Sequence, residues 1–173
     1  MTQPTFKYHP NAYKNGTFKQ NKDGKTVTCQ CCGRETAYFY DSMHCTADIN
    51  CLCPNCIASG DAARRFGGQF VQGAETIQDN EKEKWKELNQ RTPGYESWQG
   101  EHWLACCDDY CAFLGDTSAK ELRHMGVLDE VMADLKVHDT FFDEDPDCLG
   151  LGISAYLFQC LHCGKYRIWT DMD

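Results

Sequence analysis

The sequence predicts an α+β fold, and three observations lead to this class. A capping box at Ser118–Glu121 precedes apolar residues at helical spacing. β-forming residues lie on both sides of a cysteine turn between residues 156 and 170. Cysteines recur in pairs, with 13 cysteines among 173 residues. These features predict a mixed fold in which the paired cysteines hold short elements together.

The first 70 residues predict an irregular arm followed by a cysteine-rich module. Residues 1–25 are polar and aromatic and contain turn-forming Asn15-Gly16. A strand is expected over 36–40, because this stretch is rich in β-formers. Pro54 suits the first position of a helix, which is expected to continue until Gly67-Gly68.

The rest of the chain predicts three helices and a hairpin. A charged helix over 76–90 joins the N-terminal module, 1–70, to a C-terminal module, 94–173. A second helix is expected to begin near Glu101. The third follows the capping box, and its apolar positions are Leu122, Met125, Leu128, Val131, Met132 and Leu135. We interpret residues 1–173 as a single domain built from the two modules.

Four pairs of cysteines have the spacing of metal ligands. Zinc prefers four soft ligands in a tetrahedron, and a Cys-x2-Cys-Gly turn supplies two of them. The sequence therefore predicts two structural zinc ions. Their ligands are Cys29, Cys32, Cys53 and Cys56 at one site and Cys107, Cys111, Cys160 and Cys163 at the other. The first site has the treble-clef order of knuckle, hairpin and helix, and the second ends in a zinc-knuckle β-hairpin.

Several alternatives stay open at this point. In the second site, Cys106 or His162 could replace one of the thiols. A zinc enzyme or thiol-redox protein acting on a small molecule would use Asp108, Asp109 or His9 near an open metal. Four sulfurs at each site leave no open position, so a non-enzymatic role is favoured.

Cysteine usage and hydropathy indicate a cytoplasmic protein. An odd number of cysteines cannot all pair within one chain, and a reducing compartment favours metal binding over disulfides. The longest apolar stretch, near 150–158, is far shorter than the roughly 20 residues of a membrane-spanning helix. No signal segment is expected at the N-terminus.

The charge distribution favours a basic protein partner. The formal net charge is −9, with six basic and two acidic residues in 1–36 and a strongly acidic remainder. This surface disfavours nucleic acid and suits electrostatic steering of a basic protein. The candidate partner-binding residues form an acidic run, Asp139, Asp143, Glu144, Asp145 and Asp147. A solvated loop is the alternative interpretation of this run.

The sequence resembles the CbrC family of small bacterial proteins along nearly its whole length. The motifs that carry the resemblance are Phe6-Lys7-Tyr8-His9-Pro10, Cys53-Pro54-Asn55-Cys56-Ile57-Ala58-Ser59-Gly60, Gly94-Tyr95, Ser97-Trp98-Gln99-Gly100, Trp103-Leu104, Cys107 with Asp109, Cys111-Ala112-Phe113-Leu114-Gly115, and Cys160 with His162, Cys163 and Gly164.

The CbrC family name is linked to tolerance of nuclease-type colicins. The resemblance implies that the metal-binding cysteine pattern is shared, and it implies no catalytic activity. At Cys106 the family has histidine, which leaves Cys107 as the matching ligand. We therefore expect an immunity or tolerance factor whose partner is a basic bacterial toxin domain.

Overall fold

Short helices and strands alternate along the chain in the computed structural model, which describes residues 3–78, 81–138 and 145–172. This mixture of helix and sheet confirms the predicted fold class at that level. In chain order the elements are β1 (Val27–Thr28), β2 (Glu35–Thr36), α1 (Pro54–Ala58), α2 (Asp61–Phe66), β3 (Gly73–Ala74), α3 (Glu81–Arg91), β4 (His102–Trp103), β5 (Ala105–Cys106), β6 (Asp109–Tyr110), β7 (Ala112–Thr117), α4 (Ala119–Met125), α5 (Leu128–His138), a 3₁₀ helix (Pro146–Cys148), β8 (Ile153–Gln159) and β9 (Tyr166–Met172).

The N-terminal part is built from β1 and β2, an antiparallel pair, and from α1 and α2. The strand predicted over 36–40 is shorter than expected, because β2 ends at Thr36. Beyond it, Tyr40 and Leu52 form an isolated bridge with two backbone hydrogen bonds. The helix predicted from Pro54 is divided in two because Gly60 adopts a φ of +75°. It ends at Gly67 as expected, where the φ is +61°.

The largest sheet has three antiparallel strands in the order β7-β8-β9. The β8–β9 hairpin was predicted, and its register places Leu157 opposite Ile168. The helix predicted to begin near Glu101 is wrong, because that stretch forms β4, β5 and β6 instead. The prediction failed because the aromatic and apolar residues there pair with other strands, and tertiary packing overrides helical spacing.

The capping box at Ser118 is confirmed, since the Ser118 Oγ accepts from the Glu121 backbone N at 3.3 Å. One helix was predicted after the capping box, but the structure has two, α4 and α5, because Gly126 ends α4 with a φ of +72°. α5 then packs along β9 and buries Val131 and Leu135.

Within the described residues, buried side chains form three clusters. One lies around the N-terminal cysteines, one is aromatic and contains Trp103 and Phe158, and one lies between the helix pair and the sheet. The N-terminal arm contributes Phe6 to the first cluster and Tyr8 to the second. The arm therefore spans the two clusters, and the proposed division into two modules stays a prediction.

An ion-pair network of buried charges ties the C-terminal strand to three other elements. Arg167, which is 4% exposed, lies 2.8 Å from Asp134 of α5 and 2.6 Å from Glu75 beside β3. Its guanidinium also donates to the backbone oxygen of Ala105 in β5. Burial alone would lower the pKa of Arg167, but the two carboxylates raise it.

Among the described residues, no helix combines the length and the apolar character needed to span a bilayer.

Candidate metal centres

The first cysteine group forms around a tight turn that follows β1. The Cys29 backbone N donates to the Arg34 oxygen at 2.9 Å, and the Gly33 N donates to the Cys29 oxygen at 2.8 Å. The turn requires a φ of +72° at Gly33, which a residue without a Cβ adopts at little cost. This geometry brings the Cys29 and Cys32 side chains to the same side of the turn.

The other two cysteines of this group come from the start of α1. Cys53 is the N-cap residue, Pro54 follows it in the first turn, and Cys56 lies one turn along the helix. The Cys53 backbone N donates to the Cys29 Sγ at 3.2 Å, so a helix-terminal amide stabilises a sulfur of the facing turn. Gln30 fixes the approach, because its Oε1 accepts from the backbone N of Asn50 and of Cys51.

The four sulfurs of this first group have the spacing of a tetrahedral metal site. The Cys29 and Cys56 Sγ atoms are 3.9 Å apart, and those of Cys32 and Cys53 are 3.8 Å apart. A zinc–sulfur bond of about 2.3 Å gives a tetrahedron edge of about 3.8 Å. A disulfide needs about 2.05 Å. All four sulfurs lie within 4.8 Å of one another, so they fit one shared ion.

The thiols of this group are mostly buried, and one of them has a strongly lowered pKa. Hydrogen bonds from Cys53, its side chain first, lower the pKa of Cys29 to about 4. A lowered pKa favours the thiolate, which is the form that binds a metal. Cys31 and Cys51 are also buried nearby, but they lie outside the group.

The second group forms around the β8–β9 turn, which repeats the hydrogen bonds of the first turn. The Cys160 backbone N donates to the Lys165 oxygen at 2.8 Å, and the Gly164 N donates to the Cys160 oxygen at 3.1 Å. The Cys160 Sγ accepts from the backbone N of His162 and of Cys163. Burial would raise the pKa of Cys160, but these backbone N–H groups lower it to about 6.

The other two sulfurs of the second group come from the β5–β6 hairpin. Cys106 lies 3.7 Å from Cys163 and 3.8 Å from Cys107, measured between Sγ atoms. Cys107 and Asp108 form a two-residue turn with φ values of 52° and 56°. These values at both central positions are typical of the primed turns that close two-residue hairpins. The four sulfurs lie within 4.8 Å of one another, as in the first group.

Cys111, predicted as a ligand, is not in this group, and Cys106 takes its place. The Cys111 side chain is fully buried in the aromatic cluster. Its backbone oxygen accepts from the Trp103 indole at 2.9 Å. The expectation that Cys107 and Cys111 share a helical face is wrong because the segment is a hairpin. Cys106 is one of the two alternative ligands that the sequence leaves open, and its position next to Cys107 is the signal that could have identified it.

His162, the other alternative ligand, instead contacts a carboxylate behind the second group. Its Nε2 lies 3.0 Å from the Asp109 Oδ2. The same carboxylate accepts from Tyr8 at 2.7 Å and from Lys7 at 2.8 Å. Burial alone would raise the pKa of Asp109, but these three partners lower it to about 2. Asp109 therefore anchors both the cysteine hairpin and the cysteine turn to the N-terminal arm.

The two groups differ in exposure. Three of the four cysteines of the first group are buried. In the second group only Cys160 is buried, and both Cys107 and Cys163 are exposed. The second group is therefore open to solutes on one side.

The remaining residues considered for chemistry have structural partners. The His9 Nδ1 donates to the Pro93 oxygen at 2.8 Å, and burial lowers the pKa of His9 to about 4. The Asp108 carboxylate accepts from the Gln78 backbone N at 2.6 Å. Both contacts hold loops in place.

The candidate partner-binding run is only partly described. Asp139, Asp143 and Glu144 lie outside the described residues. Asp145 caps the 3₁₀ helix by accepting from the Asp147 backbone N at 3.0 Å, and Asp147 pairs with Arg123. The two described members of the run therefore make contacts within the chain, and their role toward a partner stays a prediction.

The sequence matches one family along nearly its whole length. The model of a family described as "Uncharacterised protein family (UPF0167)" matches residues 3–172. A UPF0167 protein of Pseudomonas aeruginosa is 35% identical over 98% of this chain and 96% of its own length. UPF0167 proteins of Mycobacterium bovis and Mycobacterium tuberculosis are each 32% identical over 97% of this chain and 92% of their own. No solved structure matches the chain.

Proposed function

The chain belongs to the uncharacterised protein family UPF0167, and from this premise we propose a non-enzymatic protein with two structural zinc ions that acts by binding a basic protein. The observation that carries the proposal is that each group offers four cysteine sulfurs at tetrahedral spacing. A catalytic zinc keeps one position for water or substrate. Four sulfurs at each site leave no such position, which supports a structural role.

Zinc is the metal that we assign to both groups. Tetrahedral four-sulfur sites suit zinc or iron, and zinc adds folding energy without redox chemistry. The sequence order of the first group, a knuckle turn, a hairpin and then a helix, supports a treble-clef module. Metal analysis of protein purified without added metal tests the assignment. We expect two zinc ions per chain, and one ion or bound iron would contradict it.

For the partner, we propose a basic, nuclease-type bacterial toxin domain met in the cytoplasm. The resemblance to the CbrC family and the net charge of −9 support this part of the proposal. Opposite charges raise the association rate, and salt screens the effect. Binding to a purified colicin nuclease domain should therefore weaken with salt and slow when the acidic run at 139–147 is neutralised. Absence of binding would overturn the toxin proposal and leave the metal sites untouched.

One observation favours a second candidate, a thiol-redox or zinc-dependent enzyme. Cys107 and Cys163 are exposed, and the Asp109–His162 pair lies beside them. If this candidate is right, the His162→Asn variant should keep its fold. It should lose turnover of a thiol-reactive or hydrolysable substrate. Wild-type protein with two zinc ions and no turnover of either substrate class would exclude this candidate.

A further inference from the structure

An open groove of about 730 Å³ lies on the side of the molecule formed by three segments. These are the loop at 96–98, the junction of β7 with α4, and residues 150–156 at the start of β8. Neither cysteine group lines it. The groove is therefore distinct from the metal centres.

Two large apolar side chains stand exposed in this groove. Trp98 is 75% exposed and Leu151 is 87% exposed, which are the highest values among the large apolar residues that the structure describes. Both line the same groove. Exposed apolar surface that is concentrated at one concave place marks interaction sites, because burying it against a partner is favourable.

The same groove is acidic. Glu96, Asp116 and Glu121 line it, and none of the described lining residues is basic. Glu121 directs one oxygen to Ser118, whereas Glu96 is 90% exposed and lies 3.4 Å from Lys19. Burial, and then the charge of Glu96, raise the pKa of Asp116. A cation placed between these two carboxylates would relieve their repulsion.

We propose that this groove binds an extended basic segment of a partner protein, with a lysine or arginine side chain over Trp98 and against Asp116. Apolar parts of the segment would cover Leu151. The inference rests on the proposed function, because it assumes that the chain acts on a basic protein partner. Indole faces attract cations, and carboxylates give the guanidinium a paired hydrogen-bond acceptor.

The groove itself favours a segment of chain over a small cation. Its acidic and apolar groups are contributed by three separate chain segments. A small cation contacts only one place in such a groove, whereas an extended segment contacts all three. Affinity should therefore rise with the number of basic residues in the ligand.

The test measures binding of a fluorescein-labelled hexa-arginine peptide by anisotropy, in low and in physiological salt. Trp98→Ala should weaken binding about 3- to 30-fold, the range expected for a cation over an indole. Its matched control is Trp85→Ala, because Trp85 is also partly exposed but lies on α3. The control should bind as the wild type does.

A second pair of variants separates the groove from net charge. Glu96→Gln with Asp116→Asn removes two negative charges from the groove, and Glu83→Gln with Asp129→Asn removes two from exposed helix positions. The groove double variant should lose about tenfold in affinity, and the helix double variant much less. Circular dichroism and zinc content should match the wild type for all variants.

The outcomes separate the groove from the proposed function. If the peptide binds but both double variants weaken it equally, the groove proposal is overturned and general acidity explains binding. If no basic peptide binds at low salt, the basic partner and the groove both fail. If arginine methyl ester binds as tightly as the hexapeptide, the groove is a small-cation pocket and the peptide proposal is wrong.

Discussion

At the scale of single residues, the strained turn at Cys107 and Asp108 is the most informative feature. A left-handed conformation costs a residue other than glycine about 1 to 3 kcal/mol. The turn places the sulfurs of Cys106 and Cys107 3.8 Å apart and aims both at the β8–β9 turn. Such strain persists where the surroundings impose it, and the four-sulfur group supplies that constraint.

Exchange of Cys106 and Cys111 for alanine distinguishes the ligand from the core residue. Cys106→Ala should reduce the zinc content from two ions per chain to one, because it removes a sulfur from the second group. Cys111→Ala should keep both ions and cost about 1 kcal/mol, since a buried thiol acts as a small apolar group. Metal analysis and urea unfolding measure the two effects. Loss of zinc in Cys111→Ala would refute this ligand assignment.

Burial of neutral His9 predicts a loss of stability in acid. Its pKa is about 4 when folded, below the ordinary value of about 6.5, so the unfolded chain binds the proton more tightly. The stabilisation from neutral His9 is complete above pH 6.5 and declines as the pH falls toward 4. Between pH 7.5 and 5.0 the loss should be about 2 kcal/mol.

Urea unfolding at both pH values measures this loss, and a variant isolates the part due to His9. His9→Gln should lower stability at pH 7.5 and remove about 2 kcal/mol of the pH dependence. The same measurement on His124→Gln, at an exposed position, is the matched control for the loss of an imidazole. An unchanged pH dependence in His9→Gln would assign the acid sensitivity to the cysteine groups instead.

At the scale of elements, the sequence predicted correctly those features that depend on a few neighbouring residues. The Ser118 capping box, the helix start at Pro54 and the β8–β9 hairpin each depend on a few neighbouring residues. The four cysteines of the first group could be predicted for the same reason: a tight turn and a helix start fix its geometry. The β5–β6 hairpin was missed, because residues distant in the sequence hold it: Arg167 donates to the Ala105 oxygen and Lys7 donates to Asp109.

Removal of Arg167 should loosen several elements together. Arg167→Met leaves the buried carboxylate of Asp134 with only Lys165 and His138 as cationic neighbours and removes the cationic partner of Glu75. Breaking one partner of a buried charge network costs about 3 to 5 kcal/mol. Urea unfolding should show that loss. The control is Arg123→Met, whose exposed pair with Asp147 contributes at most about 1 kcal/mol. Equal losses in both variants would show that the network is not stabilising.

At the scale of the whole molecule, the two cysteine groups differ in exposure: the first is mostly buried and the second is mostly accessible. A chelator reaches the sulfurs of Cys107 and Cys163 directly, whereas the first group is largely covered. Structural zinc supplies folding free energy, about 10 to 16 kcal/mol in peptide systems, so removal of the proposed ions should unfold the parts that they hold.

Zinc release to a coloured chelator should therefore have two phases. About one ion should leave quickly from the second group, and the other should leave slowly, as local opening uncovers the buried first group. Cys106→Ala should lack the fast phase and keep the slow one. A single phase that releases both ions together would contradict independent sites.

The separation of the cysteines along the sequence also sets the order in which a newly made chain can fold. The first group is complete once Cys56 has left the ribosome, whereas the second waits for Cys163. At 5 to 20 residues per second, this interval is roughly 5 to 20 s. During that time the Cys106–Cys107 hairpin has neither its β8–β9 partner nor a closed coordination shell. Throughout this interval Cys106 and Cys107 therefore lack the two sulfurs, those of Cys160 and Cys163, that complete their group.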